Sequence, residues 1–266
     1  MPSLRLGKWS RIVAICAIAI AIVAIAIVYA GSFSKYYTSI VEKKEILNIK
    51  PLNVNTRLIA KALGVGSVKI LHVDFASNKL GLLVEVLQNG KSRLYYVVYG
   101  SGKVLNIEPI VFDKASVKVI HEKIVNRNVG DSKEKLYKIV YLEYVRKSKP
   151  IKTVTGDTVC VVEYYYTLEG KDIFGIVLWE LKVGGYYYVI VGKEVYNVLD
   201  NSEAWANTVL GWTVKSFTSW VTYGPDNVYG QVNGYAVFQG PFQTVHAYAW
   251  ARVYKNLQTQ GGGQTW

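Results

Sequence analysis

The chain has 266 residues, of which 51% are hydrophobic, and it carries a formal net charge of +12 at neutral pH. Within residues 32–200 the excess of basic residues is scattered singly along apparent strands instead of clustering on one element, which argues against nucleic acid as a partner. Val, Ile and 21 tyrosines supply much of the apolar content. Because β-branched and aromatic side chains favour strands, this composition predicts a mainly β protein of the α+β class.

The first element is an apolar segment at residues 12–31 that contains no charged side chain. A helix of this length spans about 30 Å, which is the thickness of the hydrocarbon core of a bilayer. A buried core strand is the alternative, but a lone strand in lipid leaves its backbone hydrogen bonds unmade, whereas a helix makes them internally. The segment therefore predicts a transmembrane helix whose partner is membrane lipid.

Three basic residues, Arg5, Lys8 and Arg11, precede this segment. Cationic flanks are retained on the cytoplasmic side of a membrane, so residues 1–31 predict a cytoplasmic stub followed by a span. The expected location is the cell membrane, in a single-pass orientation with the C-terminal body outside.

Two aromatic residues, Trp9 and Tyr29, flank the span and are placed to anchor it at the two membrane interfaces. Val28 and Ala30 also fit the pattern that precedes a signal-peptidase site, so a long signal peptide cleaved near Ala30 is the alternative. Cleavage would release the body as a secreted protein.

Residues 32–50 have no clear periodicity and are predicted to form a tether between the membrane and the body, with a first strand as the alternative. The body begins with a module at residues 51–200. A short helix is predicted at Thr56–Leu63, because Asn55 is a favoured N-cap residue and Gly64 is a favoured stop signal.

The rest of this module consists of short apolar segments rich in β-branched and aromatic residues. Strands are predicted at residues 68–75, 80–87, 93–99, 137–145, 158–168, 174–183 and 186–198. Asn89-Gly90, residues 169–172 and Gly184-Gly185 supply short turns, and such connections permit only antiparallel pairing of consecutive strands. The module is therefore predicted to be an antiparallel β-meander, with a polar exposed loop at residues 122–135.

The residues that usually carry chemistry are spread along the chain without a recognisable spacing. The three histidines lie far apart, at His72, His121 and His246. Cys160 has no cysteine partner in the body, because Cys16 lies in the apolar segment. Single carboxylates within strands are predicted to face solvent, at Asp74, Glu85, Glu163 and Glu180. The sequence therefore predicts no catalytic residue, no metal site, no cofactor and no disulfide.

After residue 200 the composition changes, since only five of the 66 residues at 201–266 are charged and five of the seven tryptophans lie there. Strands are predicted at residues 213–223, 227–238 and 244–254, where large side chains alternate with small or polar ones. This range is predicted to be a second, aromatic β module of the sandwich type. Its last residues, 258–266, are expected to be flexible.

The aromatic residues of this second module form the candidate interaction surface. They are Trp205, Trp212, Trp220, Tyr223, Tyr229, Trp250 and Trp266. A surface poor in charge and rich in aromatic side chains is typical of a protein interface, either with other copies of the chain or with another envelope protein. Insertion into a membrane interface and burial in the core of a β-sandwich are the alternatives.

A pattern within the same module resembles that of a known family of secreted proteins. It runs from Trp220 and Tyr223 through Tyr229 to residues 249–253, AWARV. The pattern is similar to the hairpins of small bacteriocins of the lactococcin type, and the resemblance covers residues 220–257. It implies an exported β-sandwich that attacks the envelope of related cells.

These features together predict an exported, membrane-anchored protein of the cell envelope with a non-enzymatic structural or binding role. Self-association or binding to other envelope proteins is expected. A secreted, membrane-active antimicrobial protein is the first alternative, and an envelope enzyme with an unrecognised site is the second.

Overall fold

The computed structural model describes residues 54–266, except for residues 77, 89, 130 and 131. The predicted stub, apolar segment and tether lie outside the described residues, and so do the flanking side chains Arg5, Lys8, Trp9, Arg11 and Tyr29. No helix within the described ranges is both long enough and apolar enough to cross a membrane. Residues Asn55–Trp266 form a compact unit.

The unit begins with helix α1 at Thr56–Leu63, where the sequence predicts it. The side-chain oxygen of Asn55 accepts hydrogen bonds from the backbone N–H groups of Arg57 and Leu58, at 3.1 and 3.3 Å. At the other end Gly64 is left-handed, with a φ of 68°. The predicted N-cap and the predicted stop signal are both confirmed.

The remaining regular structure of the described residues consists of strands and two single-turn 3-10 helices, at Thr208–Leu210 and Pro225–Asn227. The strands are β1 (Lys69–Ala76), β2 (Lys79–Gln88), β3 (Lys91–Gly100), β4 (Lys103–Pro109), β5 (Ser116–Val129), β6 (Ser132–Lys147), β7 (Ile151–Lys152), β8 (Thr158–Lys171), β9 (Val177–Ile190), β10 (Glu194–Asp200), β11 (Glu203–Ala206), β12 (Thr213–Tyr223), β13 (Tyr229–Gln239), β14 (Thr244–Tyr254) and β15 (Thr259–Thr265). The mainly β prediction is confirmed.

These strands form three sheets in which every pairing is antiparallel. The N-terminal sheet has the order β1-β2-β3-β4. The central sheet has the order β10-β9-β8-β6-β5, and the short strands β11 and β7 pair with β9 and β8. The C-terminal sheet has the order β12-β13-β14-β15. The predicted antiparallel arrangement of consecutive strands is therefore confirmed.

The hairpin predicted at Asn89-Gly90 joins β2 and β3. Gln88 and Lys91 are the last pair of the ladder, so two residues connect the strands. Gly90 has a φ of 72°, the left-handed conformation that such a turn requires. Asn89 itself lies outside the described residues.

The predicted loop at residues 122–135 is wrong. Strands β5 and β6 pair across it as far as Val129 and Ser132. Side chains on both faces of β5 are exposed over residues 117–124. A ribbon that faces solvent on both sides needs no apolar alternation, so its sequence looks like that of a loop.

The predicted turn at Gly184-Gly185 is also wrong, because β9 continues through both glycines. A Cβ atom at Gly184 would lie 2.0 Å from the carbonyl oxygen of Tyr164, and one at Gly185 would lie 1.9 Å from that of Leu199. These glycines permit close approach of neighbouring strands. Strand β8 likewise continues to Lys171, so the turn predicted at residues 169–172 begins only at Asp172.

The expected flexible end at residues 258–266 is wrong as well, since β15 pairs with β14 there. A Cβ atom at Gly261 would lie 2.2 Å from the ring of Tyr166, and one at Gly263 would lie 2.7 Å from Leu168. The absence of side chains allows β8 to pack directly on the backbone of β15. The glycines of β15 therefore have a role in packing.

The main core lies between the central and C-terminal sheets. The C-terminal sheet contributes mostly small buried side chains, namely Val232, Ala236, Ala247, Ala249, Ala251 and Val253. The central sheet contributes large ones, namely Tyr164, Tyr166, Leu168, Trp179 and Tyr187. The Tyr187 hydroxyl also donates a hydrogen bond to the Ala251 carbonyl at 2.7 Å. The two sequence modules, 51–200 and 201–266, share this core, and their folding as independent domains stays a prediction.

The N-terminal sheet packs against the opposite face of the central sheet. Leu83, Leu94 and Tyr96 form a second buried cluster with Val161 and Tyr188. Tyr188 follows Tyr187 along β9, and successive side chains of a strand point to opposite faces. The central sheet thus has packed side chains on both faces.

Cys160 lies in β8 as a buried, free cysteine. Its Sγ donates to the carbonyl of Ser148 at 3.2 Å. Burial raises the pKa of the thiol. A buried thiol with a raised pKa contributes little reactive thiolate at neutral pH.

Replacing Tyr187 with Phe removes the buried hydrogen bond between the two sheets. We expect a decrease of about 1–3 kcal/mol in the free energy of unfolding, measured by urea denaturation with tryptophan fluorescence. Tyr188→Phe is the matched control, because the Tyr188 hydroxyl is buried without a hydrogen-bond partner among the described residues. That variant should be neutral or slightly more stable, and equal losses in the two variants would contradict this account.

Candidate functional site

The side of the C-terminal sheet that faces away from the core is called the outer face here. Its side chains alternate with the buried ones along β13 and β14, as period 2 requires. The strand registers bring together Trp220, Thr222, Tyr229, Gln231, Asn233, Tyr235, His246, Tyr248, Trp250, Arg252, Tyr254, Gln260, Gln264 and Trp266. Aromatic and amide side chains therefore dominate this face.

One corner of the outer face carries three neighbouring rings. The Trp266 ring stacks near His246, with centroids 5.8 Å apart, and near Tyr235, with centroids 6.2 Å apart. The Tyr235 hydroxyl and His246 Nδ1 are hydrogen-bonded at 2.6 Å. Two backbone hydrogen bonds join Trp266 to His246, at 3.0 and 3.1 Å. The indole is thus held in place by both its ring neighbours and its backbone.

A second aromatic group lies near the middle of the face. The Trp220 and Tyr248 ring centroids are 6.4 Å apart. The Trp250 ring lies across β15, because a Cβ atom at Gly262 would be only 2.8 Å from it. Gly262 therefore makes room for an indole that covers the strand backbone.

Arg252 is enclosed by aromatic rings at the other end of the face. Its Cζ lies 4.0 Å from the ring centroid of Tyr229, 5.0 Å from that of Trp250 and 5.8 Å from that of Tyr254. Such cation–π contacts stabilise a guanidinium that is partly shielded from water. The side chain is therefore oriented before any ligand binds.

A continuous chain of hydrogen bonds crosses all four strands of the face. Arg252 Nη1 donates to the Tyr254 hydroxyl at 3.0 Å, and that hydroxyl donates to Gln260 Oε1 at 2.9 Å. Arg252 Nε donates to Gln231 Oε1 at 2.8 Å, and Gln231 Nε2 donates to Asn233 Oδ1. The polar side chains thus fix one another.

Asn233 is the buried centre of this chain. Its Oδ1 also accepts a hydrogen bond from the Tyr248 hydroxyl at 3.0 Å, and its Nδ2 donates to Thr222 Oγ1 at 3.2 Å. Buried networks that are fully satisfied rigidify the side chains that take part. Asn233 therefore orients groups on β12, β13 and β14 together.

The outer face is almost free of charge. Strands β12 to β15 contain two charged residues, Lys215 and Arg252. Lys215 lies at a β-bulge near the start of β12, between Val214 and Ser216. Arg252 is therefore the one cation that belongs to the described hydrogen-bond network.

The structure brings together four of the seven aromatic residues of the candidate surface, and these are Trp220, Tyr229, Trp250 and Trp266. Trp212 is only 5% exposed and lies near Tyr137, so it belongs to the core. Tyr223 pairs with Gly230 and points to the other side of the sheet. Trp205 lies on β11 of the central sheet, opposite Glu180.

Sequence reasoning missed the polar half of the site. The omitted residues are Gln231, Asn233, Tyr248, Arg252, Tyr254 and Gln260. The alternation along β13 and β14 could have shown that the polar residues of each strand share a face with its aromatic residues. Their arrangement across strands depends on register, which the sequence pattern alone does not specify.

A separate apolar patch lies at one end of the unit, where three loops meet. The exposed tips are Phe174, Val209 and Phe242, at 83, 93 and 87% exposure. Asn207 bonds through its backbone N–H to the Leu178 carbonyl at 2.8 Å, and Gly211 lies against Pro241. A cleft of about 160 Å³ beside Phe242 is lined by Leu178, Trp212 and Pro241 as well. These loop tips are called the apolar end.

The prediction that Asp74 and Glu163 face solvent is wrong, because both are buried. Asp74 bonds to His72 Nε2 at 2.8 Å and to the Tyr96 hydroxyl at 3.1 Å. Glu163 forms an ion pair with Arg146 at 2.6 Å. The alternation of side chains along a strand predicts that these positions face solvent. They are buried because other sheets pack on both faces of the central sheet.

Glu180 is partly buried and lies opposite Glu169. Burial raises the pKa of the Glu180 carboxyl, and the neighbouring Glu169 raises it further. Glu85 is also partly exposed and accepts a hydrogen bond from the Ser92 hydroxyl at 2.6 Å. In the part of the chain that the structure describes, no group of three His, Cys, Asp or Glu side chains is arranged to hold a metal ion.

Comparison of the chain with protein-family models, with curated proteins and with solved structures finds no match. The outer face and the apolar end are therefore interpreted from their own chemistry. The outer face is the larger and more highly organised of the two.

Replacing Asn233 with Ala should loosen the outer face. The change leaves Gln231, Tyr248 and Thr222 without their shared partner, and we expect a decrease of about 1–3 kcal/mol in the free energy of unfolding. Gln264→Ala is the control, since Gln264 is exposed on the same face, and its effect should stay within about 0.5 kcal/mol. Chemical denaturation of both variants provides the measurement, and an unchanged stability for Asn233→Ala would show that the network contributes nothing.

Proposed function

We propose that the protein is an exported, membrane-anchored component of the cell envelope that binds a partner outside the cell through its outer face. The observation that carries this proposal is the fixed arrangement of aromatic and amide side chains on that face. Binding surfaces gain affinity when their side chains are ordered beforehand, because less conformational entropy is lost on association. The role is non-enzymatic.

Two features support a binding role over catalysis. The buried carboxylates Asp74 and Glu163 are engaged by neighbouring side chains that satisfy them. The outer face itself contains no carboxylate among the described residues that form it. An envelope enzyme would need a reacting group that this arrangement does not offer.

Export is supported by the apolar segment at residues 12–31 and the basic residues before it. A membrane-impermeant maleimide should label Gln258→Cys in intact cells but not Ser3→Cys. Gln258 is exposed in the turn between β14 and β15. Of the two native cysteines, Cys160 is buried and Cys16 lies in the apolar segment, so the background should be low. Labelling at Ser3→Cys alone would reverse the orientation.

Binding through the outer face can be tested with the full chain in detergent and a washed, lipid-extracted envelope fraction of the producing cells. The wild-type chain should sediment with the envelope, and Trp220→Ala combined with Trp250→Ala should reduce binding at least tenfold. Trp205→Ala is the matched control, because this exposed tryptophan lies on the central sheet. Absence of wild-type binding, or an equal loss in the control, would reject the role assigned to the outer face.

The apolar end favours a second candidate function, that of a secreted, membrane-active antimicrobial protein. Three exposed apolar loop tips at one end of a rigid unit are suited to insertion into a membrane interface. The bacteriocin-like pattern at residues 220–257 also supports this candidate.

This second candidate predicts release of dye from vesicles of phosphatidylglycerol and phosphatidylcholine by the full chain. Phe174→Asp combined with Phe242→Asp should abolish release, because a carboxylate opposes insertion. Leu87→Asp is the control, since Leu87 is an exposed apolar residue on the N-terminal sheet. Intact vesicles with the wild-type chain would reject the candidate.

A further inference from the structure

We propose that the ligand of the outer face is a neutral glycan, an inference that rests on the proposed function of that face. Four observations on the face support this choice: its shape, its exposed indoles, its hydrogen-bonding groups and its lack of charge.

The outer face is suited to an extended ligand. Its two exposed tryptophans are Trp220, on the edge strand β12, and Trp266, directly after the edge strand β15, and they are 43 and 60% exposed. They are separated by three strand spacings and by four residues along the strands, which corresponds to about 20 Å. Sites for small molecules are concave, whereas an open sheet surface of this length fits a chain.

Sugar rings match the aromatic side chains of the face. A pyranose has a C–H face that packs on an aromatic ring, and a rim of hydroxyl groups that point sideways. Trp220 and Trp266 provide two such rings, and each is supported by a second ring, Tyr248 or His246. One chain of sugars can therefore stack on both indoles.

The polar groups beside the indoles match sugar hydroxyls. A hydroxyl both donates and accepts, and so does the exposed Gln264 amide. The Tyr248 hydroxyl donates to Asn233 and keeps its lone pairs available as acceptors. Arg252 donates through Nε to Gln231 and through Nη1 to Tyr254, so the other N–H groups of its guanidinium can donate to a ligand. Tyr248 and Arg252 are already oriented by the network.

The charge of the face favours a neutral ligand. Nucleic acids and acidic glycans are normally bound by several Lys or Arg side chains. Here Arg252 is the single cation of the network, and three aromatic rings surround it. A neutral polymer needs no further charge.

The test uses the full chain in detergent and the same lipid-extracted envelope fraction, treated in one of two ways. Mild periodate cleaves the vicinal diols of sugars, and proteinase K, removed by washing, digests envelope protein. We expect periodate to reduce binding at least tenfold and protease to leave it unchanged. On untreated envelope, Trp220→Ala and Trp266→Ala should each lose at least fivefold, and Trp205→Ala should bind like the wild type.

The outcomes separate the glycan from the proposed function. Binding that is lost after protease treatment but not after periodate treatment would overturn the proposal of a glycan ligand and leave the binding role intact. If the partner is a second copy of the chain, light scattering should show a dimer, which would also overturn the glycan proposal. Salt-sensitive retention on heparin-agarose that Trp220→Ala and Trp266→Ala each reduce at least fivefold would indicate an acidic ligand at the outer face and would also overturn the proposal. If the wild-type chain does not bind untreated envelope, the proposed function itself fails.

Discussion

The contact between the inner face of the C-terminal sheet and strands β8, β9 and β10 is the constraint on which the rest of the structure depends. Gly230 and Gly234 lie against Val198 and Val183, where a Cβ atom would come within 2.5 and 2.4 Å. The small side chains of β14 meet the large rings of the central sheet in the same way. Because the pleat alternates, a strand that gives small residues to the core has its opposite positions free for large ones. In β14 the small core residues therefore alternate with the large side chains of the outer face.

The outer face differs from an ordinary solvated sheet surface in how its side chains are held. Surface side chains of a sheet usually make few lasting contacts, and ordering them costs conformational entropy when a ligand binds. On this face the guanidinium of Arg252 is held by rings, and the amide of Asn233 joins three strands. The conformational entropy of these side chains is therefore lost during folding and not when a ligand binds. The same contacts connect stability and binding, because side chains that meet a ligand also meet one another.

The sequence predicts those parts of the fold that depend on local signals. Asn55 and Gly64 delimit α1, and the bounds of β12 and β14 follow from alternation. The failures share one cause. Gly184 and Gly261 look like residues of a turn and of a flexible end, but they are required by neighbours that are distant in sequence. Trp212 and Trp220 are the same residue type in the same charge-poor range, but Trp212 lies just before β12 and is buried near Tyr137, whereas Trp220 lies on the exposed face of β12. The membrane segment stays a prediction based on sequence alone.

The bulge at Lys215 has a consequence for the behaviour of the protein at high concentration. Strand β12 has β13 on one side and no strand on the other within the described sheet, so its unpaired backbone groups could recruit a strand from a second molecule. The bulge between Val214 and Ser216 interrupts the regular spacing of those groups, and the ammonium group of Lys215 would have to be desolvated by an incoming strand. Natural sheets use both devices against edge-to-edge aggregation. The single lysine of this sheet therefore stands where it protects the edge nearest to Trp220 from indiscriminate strand addition.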